Sequence, residues 1–192
     1  MNYLIVGLGN IGEKYKNTRH NIGFKIVDFF SKKWELKFKK QIKLKSEIAK
    51  GKVENKKVYL LKPSTYVNNS GIALKACKDF FKIEISNILV IVDDVYIPFG
   101  EFRLKKSGSS GGHKGLMSIE INLNTQTYNR LKVGIGNAES EELSSYVLKD
   151  FSKDEEKNIC KIINRALDII YLWLQYGIDI AMNKANIRKK KG

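Results

Sequence analysis

The sequence predicts an α/β fold: a single three-layer domain in which a mixed β-sheet is covered by helices on both faces. Three observations predict it. Short apolar runs at Tyr3 to Leu8, Lys57 to Leu61 and Asn87 to Val92 are of strand length and bounded by Gly, Pro or polar residues, so they read as strands buried inside a sheet. Between them the apolar residues recur every three to four positions, as the buried stripe of a helix requires. The two patterns alternate from the N-terminus onward, which is how helices come to be layered over a largely parallel sheet. With 192 residues, 43% of them hydrophobic, the chain suits one domain with a sizeable core.

Taken in order, Tyr3 to Leu8 runs into a Gly/Asn loop at Gly9 to Gly12, and a helix is expected over about Asn21 to Trp34, with Ile22, Ile26, Phe29 and Phe30 at helical spacing. In the lysine-rich stretch from Lys37 to Lys52, alternation around Ile42 to Ile48 suggests a strand, and Lys57 to Leu61 is a clearer one that stops at Pro63. The polar loop Ser64 to Gly71 feeds a helix whose expected apolar face is Ile72, Ala73, Ala76, Cys77, Phe80 and Phe81, with Asn68 or Asn69 as its N-cap. Asn87 to Val92, the most apolar strand, belongs in the middle of the sheet and ends abruptly in Asp93-Asp94. Glu101 to Lys105 and Arg130 to Gly136 are further strands, and Pro98-Phe99-Gly100 suggests an antiparallel pair of neighbours. A glycine-serine loop, Ser107 to Gly115, precedes a short helix from about Leu116. The remainder reads as helical, first at Glu141 to Lys149 and then from Lys153 to Tyr176 with Ile159, Ile163, Ala166, Ile170 and Trp173 buried. The domain is expected to span 1–187, and 188–192 to form a disordered basic tail.

The net charge of +15, from 35 Lys+Arg against 20 Asp+Glu, biases the chain toward polyanionic partners, nucleic acid first. Cys77 and Cys160 show no metal-ligand or C-x-x-C spacing and are expected to be reduced core residues. No basic segment precedes the first apolar run, and no window approaches the roughly 18 apolar residues of a membrane span, so a cytoplasmic protein without membrane contact is expected.

Two motifs mislead. Gly7-Leu8-Gly9-Asn10-Ile11-Gly12 is a literal G-x-G-x-x-G after a strand, but a dinucleotide site needs a helix starting at the third glycine, and Glu13 to Asn21 is polar apart from Tyr15. No nucleotide cofactor is expected. Gly108-Ser109-Ser110-Gly111-Gly112 satisfies G-x-S-x-G, but the serine-hydrolase order requires a later histidine, and none follows His113.

What remains is a set of polar residues at strand ends and loops: Asn10, His20, Asn68, Asp93 and His113. Open α/β sheets bind ligands at such ends. One of only two histidines, His20 lies between Arg19 and Asn21 at or just before a helix start, where a side chain that titrates near neutral pH can take up a proton cheaply.

These residues sit in motifs that resemble the bacterial peptidyl-tRNA hydrolase family: G-L-G-N at Gly7 to Asn10, Tyr15-x-x-Thr18-Arg19-His20-Asn21-x-Gly23, Y-V-N-N-S-G at Tyr66 to Gly71, Asp93-Asp94 with Pro98, and G-G-H-K-G-L at Gly111 to Leu116. They run in that family's order and, with Ala181-Met182-Asn183, cover nearly the whole chain. The resemblance implies an enzyme that uses no metal or cofactor, acts as a monomer and cleaves the ester between peptide and the 3′ ribose of tRNA. It implies His20 as the base that activates water, Asp93 as its orienting partner, and Asn10 and Asn68 as amides that hold substrate and histidine. Tyr15, Tyr66, Asn68, His113, Lys114, Lys105 and Lys132 fall at substrate- or tRNA-binding positions. Three departures stand out: Ile11 replaces a proline, Tyr96 replaces an acid, and Lys114 replaces an asparagine, so that residue's amide role cannot carry over to an ammonium. The long Lys114 stem is expected to turn outward, toward phosphate. The competing reading is a non-catalytic RNA-binding member of the same fold; it leaves Asn10, His20, Asn68 and Asp93 together without a purpose.

Overall fold

The computed structural model describes residues 1–136 and 142–187. In chain order its elements are β1 (Asn2–Gly7), α1 (Ile22–Lys33), β2 (Lys39–Gln41), β3 (Ser46–Val53), β4 (Lys56–Pro63), α2 (Ser70–Phe80), β5 (Ile88–Asp94), β6 (Phe102–Lys105), α3 (Lys114–Leu123), β7 (Asn129–Gly134), α4 (Leu143–Tyr146), α5 (Lys153–Tyr176) and α6 (Ile178–Ala185).

The strands form one seven-stranded sheet in the order β2-β3-β4-β1-β5-β7-β6. Its centre, β4-β1-β5-β7, is parallel, and antiparallel strands extend it at both edges. Alternation of side chains divides β1 between two cores. Ile5 packs on the face covered by α1 and α5, while Leu4 and Val6 pack on the face covered by α2 and α3. Both faces of the central strands are therefore dry, which is why they read as unbroken apolar runs.

Two close approaches bring the helices against the sheet. A Cβ at Gly23 in α1 would lie 2.6 Å from the carbonyl oxygens of Ile91 and Leu8, and one at Gly71 in α2 would lie 2.1 Å from Ser118 O in α3. Only glycine lets these backbones meet.

Several expectations are corrected. Residues 42–44 form a single 3₁₀ turn with Ile42 exposed, and the strand runs from Ser46; a left-handed Lys45 separates the two. On α2 the buried side is Gly71, Ala73, Leu74 and Cys77, whereas Ile72 and Phe80 are 38% and 68% exposed, because the helix turns its Gly71 edge to α3. Asn69 occupies the N-cap position of α2, yet neither it nor Asn68 makes a side-chain capping bond. The strands flanking Pro98 are not neighbours: β7 lies between β5 and β6, and the antiparallel pair is β6–β7. Helix α3 starts at Lys114, earlier than expected. Cys160 is exposed on α5, whereas Cys77 is buried. In α5, Ile159 is only partly covered. Glu141, where a helical piece was expected to begin, and the basic tail at 188–192 lie outside the described residues.

Candidate functional site

The site lies where the carboxyl ends of β1, β4 and β5 converge. Beyond β1 the chain carries Asn10, and beyond β4 a 3₁₀ turn (Val67–Asn69) carries Asn68; β5 ends in Asp93 and Asp94. A second 3₁₀ turn, Arg19–Asn21, places His20 directly before α1, and the Gly23 contact seats that helix start on β1 and β5. The His20 amide also donates to Val147 O at 2.9 Å, which fixes its backbone against the segment around α4.

His20 Nδ1 lies 2.9 and 3.0 Å from the two oxygens of Asp93, and His113 Nε2 lies 3.1 Å from Asp93 Oδ1. The two imidazole centroids are 5.0 Å apart. A carboxylate can only accept, so His20 carries its proton on Nδ1 and leaves Nε2 as a free lone pair. Burial alone would lower the pKa of His20, but the charge of Asp93 and its hydrogen bond outweigh burial and raise it above the ordinary value. Burial likewise opposes ionisation of Asp93, and the two imidazoles overcome it, holding the carboxyl well below the usual range.

Asn10 Oδ1 accepts the Val67 N–H at 2.9 Å. The amide's remaining capacity is its N–H₂ group, a donor on a residue that lines the cleft. The Asn10 backbone is clamped by Asn21, whose Oδ1 accepts the Asn10 N–H at 2.8 Å and whose Nδ2 donates to Asn10 O at 2.9 Å.

The cleft has a volume of about 420 Å³, and Asn10, His20, Asn68, Asp93, His113 and Lys114 all line it. Its other wall is apolar, formed by Val95, Tyr96, Leu143, Val147 and Leu148. Six of the residues expected at the site are thus brought together. Tyr15 and Tyr66 do not line the cleft; Tyr15 is half-buried in a 3₁₀ turn and Tyr66 is exposed. Lys105 lines a separate depression beside α6. Lys132, expected at a tRNA-binding position, is paired with Asp94, its Nζ 2.9 Å from Asp94 Oδ2 and its side chain only 14% exposed. Lys114 is exposed at the first position of α3, where it lines the cleft.

Two residues escaped the sequence reading. Asn21 lies inside the histidine motif, but nothing local shows that its amide holds Asn10. Arg130, fully buried, donates to Gly108 O at 2.6 Å and Gln126 O at 2.7 Å, and lies 3.5 Å from Glu120 Oε1, tying down the start of the 107–112 loop. With Asn129 and Lys132 in the same strand, nothing local marked Arg130 as the buried cation, and it is tolerated there because these acceptors satisfy its guanidinium.

His20, Asp93 and His113 offer ligand atoms within 4.8 Å of one another, a set that could hold a metal ion. Here their mutual contacts are hydrogen bonds, with both of Asp93's imidazole neighbours facing it through an N–H. Among the described residues no helix is long and apolar enough to cross a membrane.

The peptidyl-tRNA hydrolase family model matches residues 4–192. A curated peptidyl-tRNA hydrolase of Azobacteroides pseudotrichonymphae genomovar. CFP2 is 45% identical, covering 97% of this chain and all of its own length. One from Clostridium botulinum (strain Hall) is 44% identical over 96% of each chain. The crystal structure of peptidyl-tRNA hydrolase from Acinetobacter baumannii superposes with a TM-score of 0.92 at 36% identity, covering 97% of this chain and 95% of that one.

Proposed function

The chain belongs to the peptidyl-tRNA hydrolase family, hydrolases acting on the ester bond of peptidyl-tRNA, and from that premise we propose that His20 is the base of the reaction. The observation that carries this is the pair of contacts from His20 Nδ1 to Asp93, which leave Nε2 unprotonated on a residue lining the cleft.

A water between Nε2 and the ester carbonyl loses its proton to Nε2 as its oxygen bonds to the carbonyl carbon. Asp93 stabilises the imidazolium that forms. The carbonyl oxygen becomes an oxyanion, for which the Asn10 amide N–H is the positioned donor and Asn68 a second polar contact. When the carbon–oxygen bond to the ribose breaks, the imidazolium returns its proton to the 3′ oxygen. The products are a peptide carboxylic acid, which gives up its proton to solvent, and tRNA with a free 3′ hydroxyl, which is recycling of tRNA for translation and ribosome rescue.

The apolar wall of Val95, Leu143, Val147 and Leu148 suits the peptide. Lys105, Lys114 and Lys132 would contact tRNA phosphates, with Tyr15 and Tyr66 flanking the acceptor end and His113 touching substrate from the cleft floor. Of the three lysines, Lys132 contributes least net charge, because Asp94 offsets it. The protein works as a cytoplasmic monomer, without a membrane or nucleotide cofactor.

The test is release of free tRNA from an N-acyl-aminoacyl-tRNA by the purified protein in the presence of a chelator. Persistent turnover is expected. Binding of the substrate without release of tRNA would favour the non-catalytic RNA-binding reading, and turnover abolished by the chelator would favour a metal held by His20, Asp93 and His113.

A further inference from the structure

His113 makes two kinds of contact at once. As the N-cap of α3 it accepts the N–H groups of Gly115 at 3.1 Å and Leu116 at 3.3 Å through Nδ1. Through Nε2 it reaches Asp93 Oδ1 at 3.1 Å. A ring nitrogen that accepts from N–H carries no hydrogen, so the single proton of the neutral ring must sit on Nε2. Most helices are capped by a short oxygen side chain, and an imidazole cap fixes a tautomer as well as a helix start. His113 therefore presents an N–H to the same carboxylate that holds His20.

We infer that His113 is a positioning residue for the base: locked in the Nε2–H tautomer by the N-terminus of α3, it donates a second hydrogen bond to Asp93 and so limits how tightly that carboxylate holds His20. The inference rests on His20 acting as the base. Its physical basis is competition for one buried anion. His113's bond to Asp93 is strongest when Asp93 carries its full charge, with His20 neutral, and weakens when an imidazolium already neutralises the carboxylate. The bond therefore favours the neutral, proton-accepting form of His20. A carboxylate paired with His20 alone would make the imidazolium more persistent and move the working range of the base to higher pH.

The other charged groups around this cluster are accounted for. Asp94, next in β5, is turned to Lys132 and to the backbone N–H of Tyr96. Lys114, beside His113 on α3, is exposed. No other titratable side chain among the described residues is hydrogen-bonded to Asp93, His20 or His113.

Two substitutions separate the two contacts by length. Asn matches the Nδ1 position of a histidine, so His113→Asn keeps an acceptor for the helix cap and is too short to reach Asp93. Gln matches the Nε2 position, so His113→Gln keeps a donor for Asp93 and gives up the cap. In His113→Asn the acid limb of the kcat/KM profile should move up by about half a unit to one unit, a loss of about three- to tenfold on the acid side, with the unfolding midpoint near that of the wild type. In His113→Gln the limb should stay and the midpoint fall. Superposable limbs in both variants, or a downward move in His113→Asn, would overturn the inference. A variant that fails to fold leaves a direct measurement on the unaltered protein, since it has only two histidines. Imidazole ¹⁵N shifts at alkaline pH, assigned with His20→Ala, should show the proton of His113 on Nε2 and that of His20 on Nδ1. A proton on Nδ1 of His113 would sink the proposal. The same finding would leave His20 as the base, and loss of the His20 role would appear instead as turnover surviving in His20→Ala.

Discussion

A Cβ placed on Gly7 would lie 2.4 Å from the carbonyl oxygen of Gly23, so the end of β1 and the first turn of α1 are in backbone contact. That contact holds His20, three residues before Gly23, against the end of β5 where Asp93 emerges. Gly23→Ala should therefore act on both fold and chemistry. Forcing the backbones apart should cost about 1–3 kcal/mol of stability, measured by denaturant unfolding, and kcat should fall in the surviving folded protein. A stable, fully active Gly23→Ala would mean that the helix can withdraw without disturbing the base.

His20→Ala should lower hydrolysis by about 10²–10⁴-fold while tRNA binding stays within a few-fold of the wild type, since the base acts in the chemical step and phosphate contacts supply the anchoring. Single-turnover release of tRNA and a filter-binding titration measure the two separately. More than about a tenth of the wild-type turnover in this variant would remove His20 from the role, given what a positioned base supplies.

Asp93→Asn should lower kcat and move the acid limb of the profile down, because the charge that raises the pKa of His20 is gone. Stability follows the same linkage. The folded-state pKa of His20 lies above the 6.5 of the free side chain, so its gain is complete below pH 6.5 and is lost as pH rises through the folded value. The folded-state pKa of Asp93 lies below 3.8, so its gain is present above pH 3.8 and is lost as pH falls through the folded value. Asp93→Asn should consequently cost more stability at pH 5 than at pH 9, as read by urea unfolding at the two pH values. Equal losses would show that the carboxylate and the imidazole are not coupled.

Affinity for tRNA should fall with salt at a slope of roughly −0.7 to −0.9 per phosphate contact, and Lys105→Ala should flatten it by about one contact. Lys132→Ala should do so less, because Asp94 offsets the charge, and should also destabilise the protein by leaving a largely buried carboxylate unpaired. Salt-independent binding in the wild type would contradict the whole basic surface.

Lys114→Asn restores the family's usual residue. If the ammonium faces tRNA phosphate, this change should raise KM for tRNA substrates, reduce their salt dependence and leave the acid limb where it is. An upward move of that limb with unchanged KM would place the ammonium against His20 instead.

The sequence by itself determined the layered architecture and singled out six residues that line the cleft. Apolar runs of strand length can be buried on both faces only in a layered α/β sheet, and the strand ends of such a sheet converge, so Asn10, Asn68 and Asp93 were legible as neighbours before any coordinates. His20 was legible because its motif precedes an amphipathic helix. What only the tertiary structure decided is how those groups face one another. Period-2 and period-3.6 patterns record which side of an element is buried, but not which partner lies there. Ile72 and Phe80 were therefore assigned to the buried side of α2 when the Gly71 edge is the one that meets α3. Strand order is equally non-local, so β7 intervened between β5 and β6 with no sign in the turn at Pro98. The tautomers of the two histidines, the clamp of Asn21 on Asn10 and the pairing of Lys132 with Asp94 each join residues at least eleven positions apart or across a helix start. A hydrogen bond is set by distance and direction in three dimensions, and residue type and spacing along a chain specify neither until packing brings the partners together.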